Sequence, residues 1–191
     1  VRPKLEKLVD ALFNRIPCGA GQTGRHRFDR NQLIRLLRTG PCALVEDGLA
    51  VPRDIEYTEA RGCIDGARPE FLSDRALQRG AGQCGTLGGG NHFLEIQVIE
   101  EVFDPPAAEA MRLAEGMICV MIHSGSRGLG YQVCDDALRI LRDVPQRYGI
   151  ELPDRQLACA PIQSDEGQKY LGAMFGAANF AWCNRQILMH E

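Results

Sequence analysis

The chain's 191 residues are 45% hydrophobic and 25% charged, with a formal net charge of −3, the size and balance of a soluble globular domain able to bury a core. No apolar run approaches a membrane span, and Val1–Lys7 begin a charged amphipathic helix and not a secretory leader, so a cytoplasmic setting without membrane contact is expected. The acidic balance does not advertise nucleic-acid binding, and composition neither supports nor excludes RNA; a polyanion would need a local arginine cluster or metal ions.

Leu5, Leu8, Val9, Leu12, Phe13 and Ile16 recur at helical spacing and predict an amphipathic helix over the first 16 residues. It should end near Pro17, before the glycines of Cys18-Gly-Ala-Gly21. Val, not Met, stands first, and the chain is expected to begin inside a longer protein. A short helix is predicted around Asn31–Arg38, with Asp29 or Asn31 as its cap. Residues 40–70 mix glycine, proline and charge and read as irregular. Ser73 opens a short helix through Leu77.

The run Gly85-Thr-Leu-Gly-Gly-Gly-Asn-His92 is too rich in glycine for regular structure and reads as a loop. In Phe93–Ile99, Leu94, Ile96 and Val98 alternate with Glu95 and Gln97, the pattern of a half-buried strand. A helix over 106–114 follows, then a continuous apolar run, Met117–Ile122, of strand length. It ends at His123 and a second glycine-rich loop, Ser124-Gly-Ser-Arg-Gly-Leu-Gly130. Helices are predicted from Tyr131 to about Arg142 and from about Glu166 to Met189. No repeat or linker divides the chain.

The eight cysteines contain no Cys-x-x-Cys pair. With no secretory segment, that argues against a zinc ribbon or a disulfide framework, and most are expected to be reduced, small core residues.

Two strand ends beside glycine loops, at His92 and His123, are places where a scaffold can fix a side chain while backbone approaches a ligand. A neutral imidazole is a common ligand of manganese or zinc; the alternative is two core or loop histidines satisfied by backbone carbonyls. The loops can cradle phosphate with backbone N–H groups or be turns without a ligand. Neither has the P-loop or dinucleotide-binding pattern. Glu95, on one strand face with Phe93 and Gln97, suits the N–H groups of a base edge or a solvated surface. Arg79 and Arg127 suit phosphate, which a guanidinium matches bidentately, or are surface charges. Asn91 donates to a phosphate oxygen or terminates its loop.

Together, Gly85-Thr-Leu-Gly-Gly-Gly-Asn-His-Phe-Leu-Glu-Ile96 and Val120-Met-Ile-His-Ser-Gly-Ser-Arg-Gly-Leu-Gly130 resemble the two central signatures of the RtcB family of RNA ligases. Tyr170-Leu-Gly-Ala-Met174 and Ala178-Asn-Phe-Ala-Trp-Cys-Asn-Arg185 are similar to the block that follows them, and Ile16-Pro-Cys-Gly-Ala-Gly21 extends the likeness toward the start. The resemblance implies an α+β fold, a mixed sheet with helices packed outside it, forming the central portion of a larger single catalytic domain. It implies a GTP- and Mn²⁺-dependent ligase of tRNA splicing or RNA repair. Such an enzyme guanylylates a histidine and joins RNA 2′,3′-cyclic-phosphate or 3′-phosphate ends to 5′-hydroxyl ends.

By position, the resemblance makes His92 and His123 ligands of two neighbouring Mn²⁺ ions. Asn91, His92, Phe93, Leu94 and Glu95 would line the GMP site, with Glu95 reading guanine, and Arg79 and Arg127 would hold RNA phosphate. An activating protein partner is compatible with it. The family's Asp-x-Gly-Cys-Gly motif is expected before Val1, and a third histidine ligand and the guanylylated histidine beyond Glu191, so no catalytic nucleophile is assigned to this chain. Alone it should hold Mn²⁺ weakly and be inactive. Tyr131 stands where a histidine is common, and His26 and His190 match no functional position. Two other readings stay open: a truncated relative that binds RNA or guanine nucleotide without catalysis, and a metal hydrolase using His92, His123 and Asp135 or Asp136.

Overall fold

In the computed structural model, residues 2–154 and 156–191 are described. In chain order the elements are α1 (Arg2–Arg15), α2 (Arg30–Thr39), α3 (Cys42–Glu46), α4 (Pro52–Glu56), α5 (Asp74–Gln83), β1 (Phe93–Val98), α6 (Pro105–Ala110), β2 (Ile118–His123), α7 (Arg127–Leu141), α8 (Val144–Arg147) and α9 (Asp165–His190). Short 3-10 turns lie at Glu59–Gly62 and Pro69–Phe71. The class is α+β, as the sequence predicts. Where a mixed sheet is expected, the described residues form an antiparallel two-stranded ribbon, with a single parallel bridge between Cys18 and Gly88.

Helix α9 organises the core. Ser164 caps it by accepting from the Gly167 N–H, and Asp165 and Glu166 place negative charge at its positive end. Its small residues Gly172, Ala173, Gly176 and Ala177 allow close approach; Phe180, Cys183 and Ile187 then fill the interior. Leu33, Leu36 and Leu37 of α2, Ala76 and Leu77 of α5, and Leu129 and Val133 of α7 pack with them. Each buried leucine contributes roughly 1.5–3 kcal/mol relative to leaving it in water. Asp29 caps α2 in a reciprocal capping box with Gln32.

Several expectations change. Residues 40–70 are not simply irregular: they hold α3, α4 and two 3-10 turns, and Ala43, Leu44, Leu49 and Ala50 enter the core. Helix α5 continues past Leu77 to Gln83 because Gly80 is a contact, not a break; a Cβ there would lie 2.5 Å from Leu129 Cδ1. Helix α7 begins at Arg127, inside the second glycine-rich segment, and α6 stops at Ala110. The cysteines are less buried than expected. Cys84 and Cys183 are core residues, while Cys18, Cys42 and Cys134 are exposed and the other three intermediate; all eight are free.

The ribbon and α1 sit on a second, smaller cluster. Ile16, Leu87 and Leu188 are buried there, with Leu12, Leu94 and Ile122 against them. Away from it the ribbon is open: Val98 is 58% and Ile118 68% exposed, so the half-buried strand is half-buried only at its site end. The predicted amphipathic helix forms over the described part of 1–16, Val1 lying outside the described residues. Its apolar stripe is packed only at its end, through Leu12 and the following Ile16, and Phe13 is 83% exposed. No helix among the described residues is long and apolar enough to cross a membrane.

Candidate functional site

The antiparallel register pairs Phe93 with His123, then Glu95 with Met121 and Gln97 with Cys119. Directly opposed residues share a face, so Phe93, Glu95, Gln97 and His123 line one side of the ribbon, while Leu94 and Ile122 anchor the other. His92 precedes Phe93 at the mouth of the first glycine loop. Its ring centroid lies 6.1 Å from that of His123, with the planes at 82°, and the Phe93 ring lies 5.1 Å from that of His123, tilted by 40°. The two histidines therefore converge, which their sequence spacing could not reveal.

His92 Nδ1 is 2.6 Å from the Gly89 carbonyl oxygen. A carbonyl only accepts, so Nδ1 carries the proton in that bond and Nε2 of the neutral ring keeps its lone pair. This is the orientation found in metal-binding histidines, whose other N–H is held by a backbone carbonyl. Among the described residues no group of three or more His, Cys, Asp or Glu side chains gathers to hold an ion. The donors here fit a divalent transition metal in kind, and they are two in number. Asp135 and Asp136 are engaged on α7 by Gln132, Arg139 and Ser73, and neither forms such a group with the two imidazoles.

Asn91 is exposed at the loop's end, and Leu94 turns toward the anchoring cluster. Glu95 is exposed on the histidine side, one carboxylate oxygen accepting from Gln97 Nε2 at 2.7 Å. Arg79, on α5, lies over the Tyr131 ring at 5.6 Å. Its stem passes Gly128, whose N–H donates to Gln83 Oε1 at 2.8 Å. Arg127 Nε donates to Thr86 Oγ1 at 3.1 Å, and its guanidinium covers Gly88. Arg79 thus lies against the second glycine-rich segment and Arg127 against the first. Burial pulls the Arg127 guanidinium below its usual value, yet such a group stays cationic at neutral pH. His26 is bound by Glu191 at 3.0 Å and sits near His190, in a separate cluster.

The residues that sequence reasoning missed lie on α9. Asn184, fully buried, accepts from the Gly85 and Thr86 N–H groups at 2.7 and 3.1 Å. Its Nδ2 faces Thr86 O, Ser124 Oγ and Gly125 O at 3.0–3.1 Å. Arg185 donates to Ser124 O at 3.0 Å, and burial lowers its pKa. Ser124 Oγ donates to Leu87 O at 2.7 Å. One helical turn therefore joins both loops, and the available sequence signal was the Asn-Arg pair that ends the block Ala178–Arg185.

The family model described as tRNA-splicing ligase RtcB matches residues 1–191. Among curated relatives, the chain is 50% identical over 190 residues to a tRNA-splicing ligase RtcB of Archaeoglobus fulgidus, a match covering 100% of this chain and 39% of that protein. A Pyrococcus horikoshii protein of the same name is also 50% identical, with 100% of this chain and 22% of that protein covered. An RNA-splicing ligase RtcB of Mycobacterium tuberculosis is 51% identical over 189 residues, with 98% of this chain and 44% of that protein covered. The chain thus spans less than half the length of each of these relatives. With the match running from the first residue to the last, the chain belongs to the RtcB family of tRNA-splicing ligases.

Proposed function

We propose that residues 1–191 act within a longer polypeptide as the central part of a GTP- and Mn²⁺-dependent RNA ligase. It would join RNA 2′,3′-cyclic-phosphate or 3′-phosphate ends to 5′-hydroxyl ends, in tRNA splicing or RNA repair. The observation that carries this reading is the convergence of His92 and His123 beside two glycine loops.

On this reading His92 Nε2 and a ring nitrogen of His123 each hold one of two Mn²⁺ ions. When bound, such ions neutralise phosphate charge and orient attacking and leaving oxygens. The chain's own groups do the rest. Asn91–Glu95 border the guanine nucleotide: Phe93 supports the His123 ring, and Glu95 accepts from N–H groups of the base edge. Arg79 and Arg127 hold the RNA terminal phosphate, where a planar guanidinium offers paired donors. The remaining metal ligands and the histidine that accepts GMP are assigned outside residues 1–191.

The test is made on the full-length protein with labelled GTP and Mn²⁺. A covalent GMP adduct and sealing of 3′-phosphate to 5′-hydroxyl RNA are expected, both lost on chelation. Sealing without GTP, or only of 5′-phosphate ends, would overturn the reading. The isolated chain should carry no GMP; an adduct on it would place the nucleophile within these residues.

A further inference from the structure

We propose that Asn184 is a positioning residue for phosphate recognition: one buried carboxamide holds the two glycine-rich turns together and so seats the Arg127 guanidinium. The ligand it names, a terminal RNA phosphate, rests on the ligase reading above.

An asparagine inside a helix is a weak helix former, and when buried it must satisfy both ends of its amide. Asn184 does so entirely with groups from two loops that neither a helix nor the ribbon satisfies. Gly85, at φ +76°, bends so closely over α9 that a Cβ would meet Ile187 Cγ2 at 2.7 Å. That bend aims two successive N–H groups, from Gly85 and Thr86, at Asn184 Oδ1. On the other side, Nδ2 reaches Ser124 and Gly125.

Polarity then passes to Arg127 without ambiguity. Thr86 Oγ1 donates its single proton to Gln83 O at 2.8 Å. It must therefore present a lone pair to Arg127 Nε, 3.1 Å away. Ser124 Oγ likewise spends its proton on Leu87 O and accepts from Asn184. Thr86, whose backbone Asn184 holds from both sides, is the seat of the guanidinium. The histidine pair has nearer supports, since β1–β2 register sets Phe93 opposite His123 and the Gly89 carbonyl accepts from His92 Nδ1. Asn184 thus acts most directly on the phosphate side of the site, through Thr86 and Arg127.

The discriminating change is Asn184→Asp. It keeps an acceptor for Gly85 and Thr86 but turns a second oxygen toward Thr86 O and Gly125 O, where a donor is required. The full-length protein is compared with Asn184→Asp, Arg127→Ala and the double variant. Fluorescence anisotropy reads binding of RNA ending in 3′-phosphate against the same RNA ending in 3′-hydroxyl, and circular dichroism checks folding. Asn184→Asp should weaken 3′-phosphate binding about tenfold, the scale of a lost charged hydrogen bond. It should cost nothing further once Arg127 is alanine, because groups acting as a unit are non-additive.

A loss that persists in the Arg127→Ala background, or that is equal for 3′-hydroxyl RNA, overturns the proposal and leaves Asn184 a general packing residue. A wild-type protein indifferent to the 3′-phosphate instead overturns the ligase reading. Should Asn184→Asp fail to fold, Ser124→Ala removes one of its acceptors, and the same coupling to Arg127 is expected; additivity there overturns the proposal.

Discussion

The imidazoles of His92 and His123 meet nearly edge to face, 6.1 Å between centroids, because the ribbon pairs Phe93 with His123 and leaves His92 one step beyond that pair. If both are metal ligands, His92→Ala and His123→Ala in the full-length protein should each weaken Mn²⁺ binding by at least the ~10–100-fold typical of losing a mere outer-shell partner. Calorimetric titration with Mn²⁺ reads this directly. A variant that binds Mn²⁺ as tightly as wild type, while still folded, removes that histidine from the ligand set.

The long helices were legible because period and caps agreed: Asp29 with Gln32 opens α2, and Ser164 opens α9. The segment 40–70 was not, since helices of five residues are too short to be stable alone and form here because Leu44 reaches the core. Gly80 and Arg127 misled for opposite reasons. Gly80, beyond the predicted end of its helix at Leu77, is a packing contact with Leu129, and a glycine-rich loop becomes helix once Gly128 donates to Gln83. Of the site, the histidines and arginines were candidates by chemistry and position, but only the resemblance chose their functional reading, since sequence distance says nothing of convergence. Asn184 stood inside a block that resembles the family but drew no role, because a polar residue inside a helix is ordinarily read as surface.

Gly88 is where loop chemistry and Arg127 collide. Its φ is +107°, and a Cβ would lie 2.2 Å from Arg127 Nη1. Gly88→Ala should therefore destabilise the protein by roughly 1–3 kcal/mol through backbone strain and also displace the guanidinium. Gly90, at φ +72° with nothing within 4 Å of a built Cβ, provides the control. Thermal melts should show Gly88→Ala losing more than Gly90→Ala. Equal losses would mean that the contact with Arg127 does not constrain the loop.

Burial pushes the Cys84 and Cys183 thiols well above their ordinary value. A raised thiol pKa means that the ionised form is favoured only in the unfolded chain. This contribution is whole below the unfolded value of about 8.5 and declines as pH rises toward the folded values, by at most about 1.4 kcal/mol per pH unit per thiol. Urea midpoints measured at rising alkaline pH should fall, and Cys84→Ala should flatten that decline while lowering stability at neutral pH. At neutral pH, iodoacetamide should label the exposed Cys18, Cys42 and Cys134 before either buried thiol. An alkaline slope unchanged by Cys84→Ala would show that other groups carry it.

Helix α1 has the sequence of a packed element without the packing. Leu5, Val9 and Phe13 are all more than half exposed, facing a groove whose far wall is Leu87, Leu94 and Ile96. Its contact with the core is made at its last turn, through Leu12 and the following Ile16. A helix of 14 residues is marginal in water by itself, and local opening is cheapest where few apolar contacts must break. In residues 1–191 studied alone, amides over the first two turns of α1 should exchange hydrogen near the unprotected rate, whereas those of α9 from Gly176 to Ile187 should report global unfolding. Protection of both helices to the same degree would mean that the stripe on α1 is packed in solution.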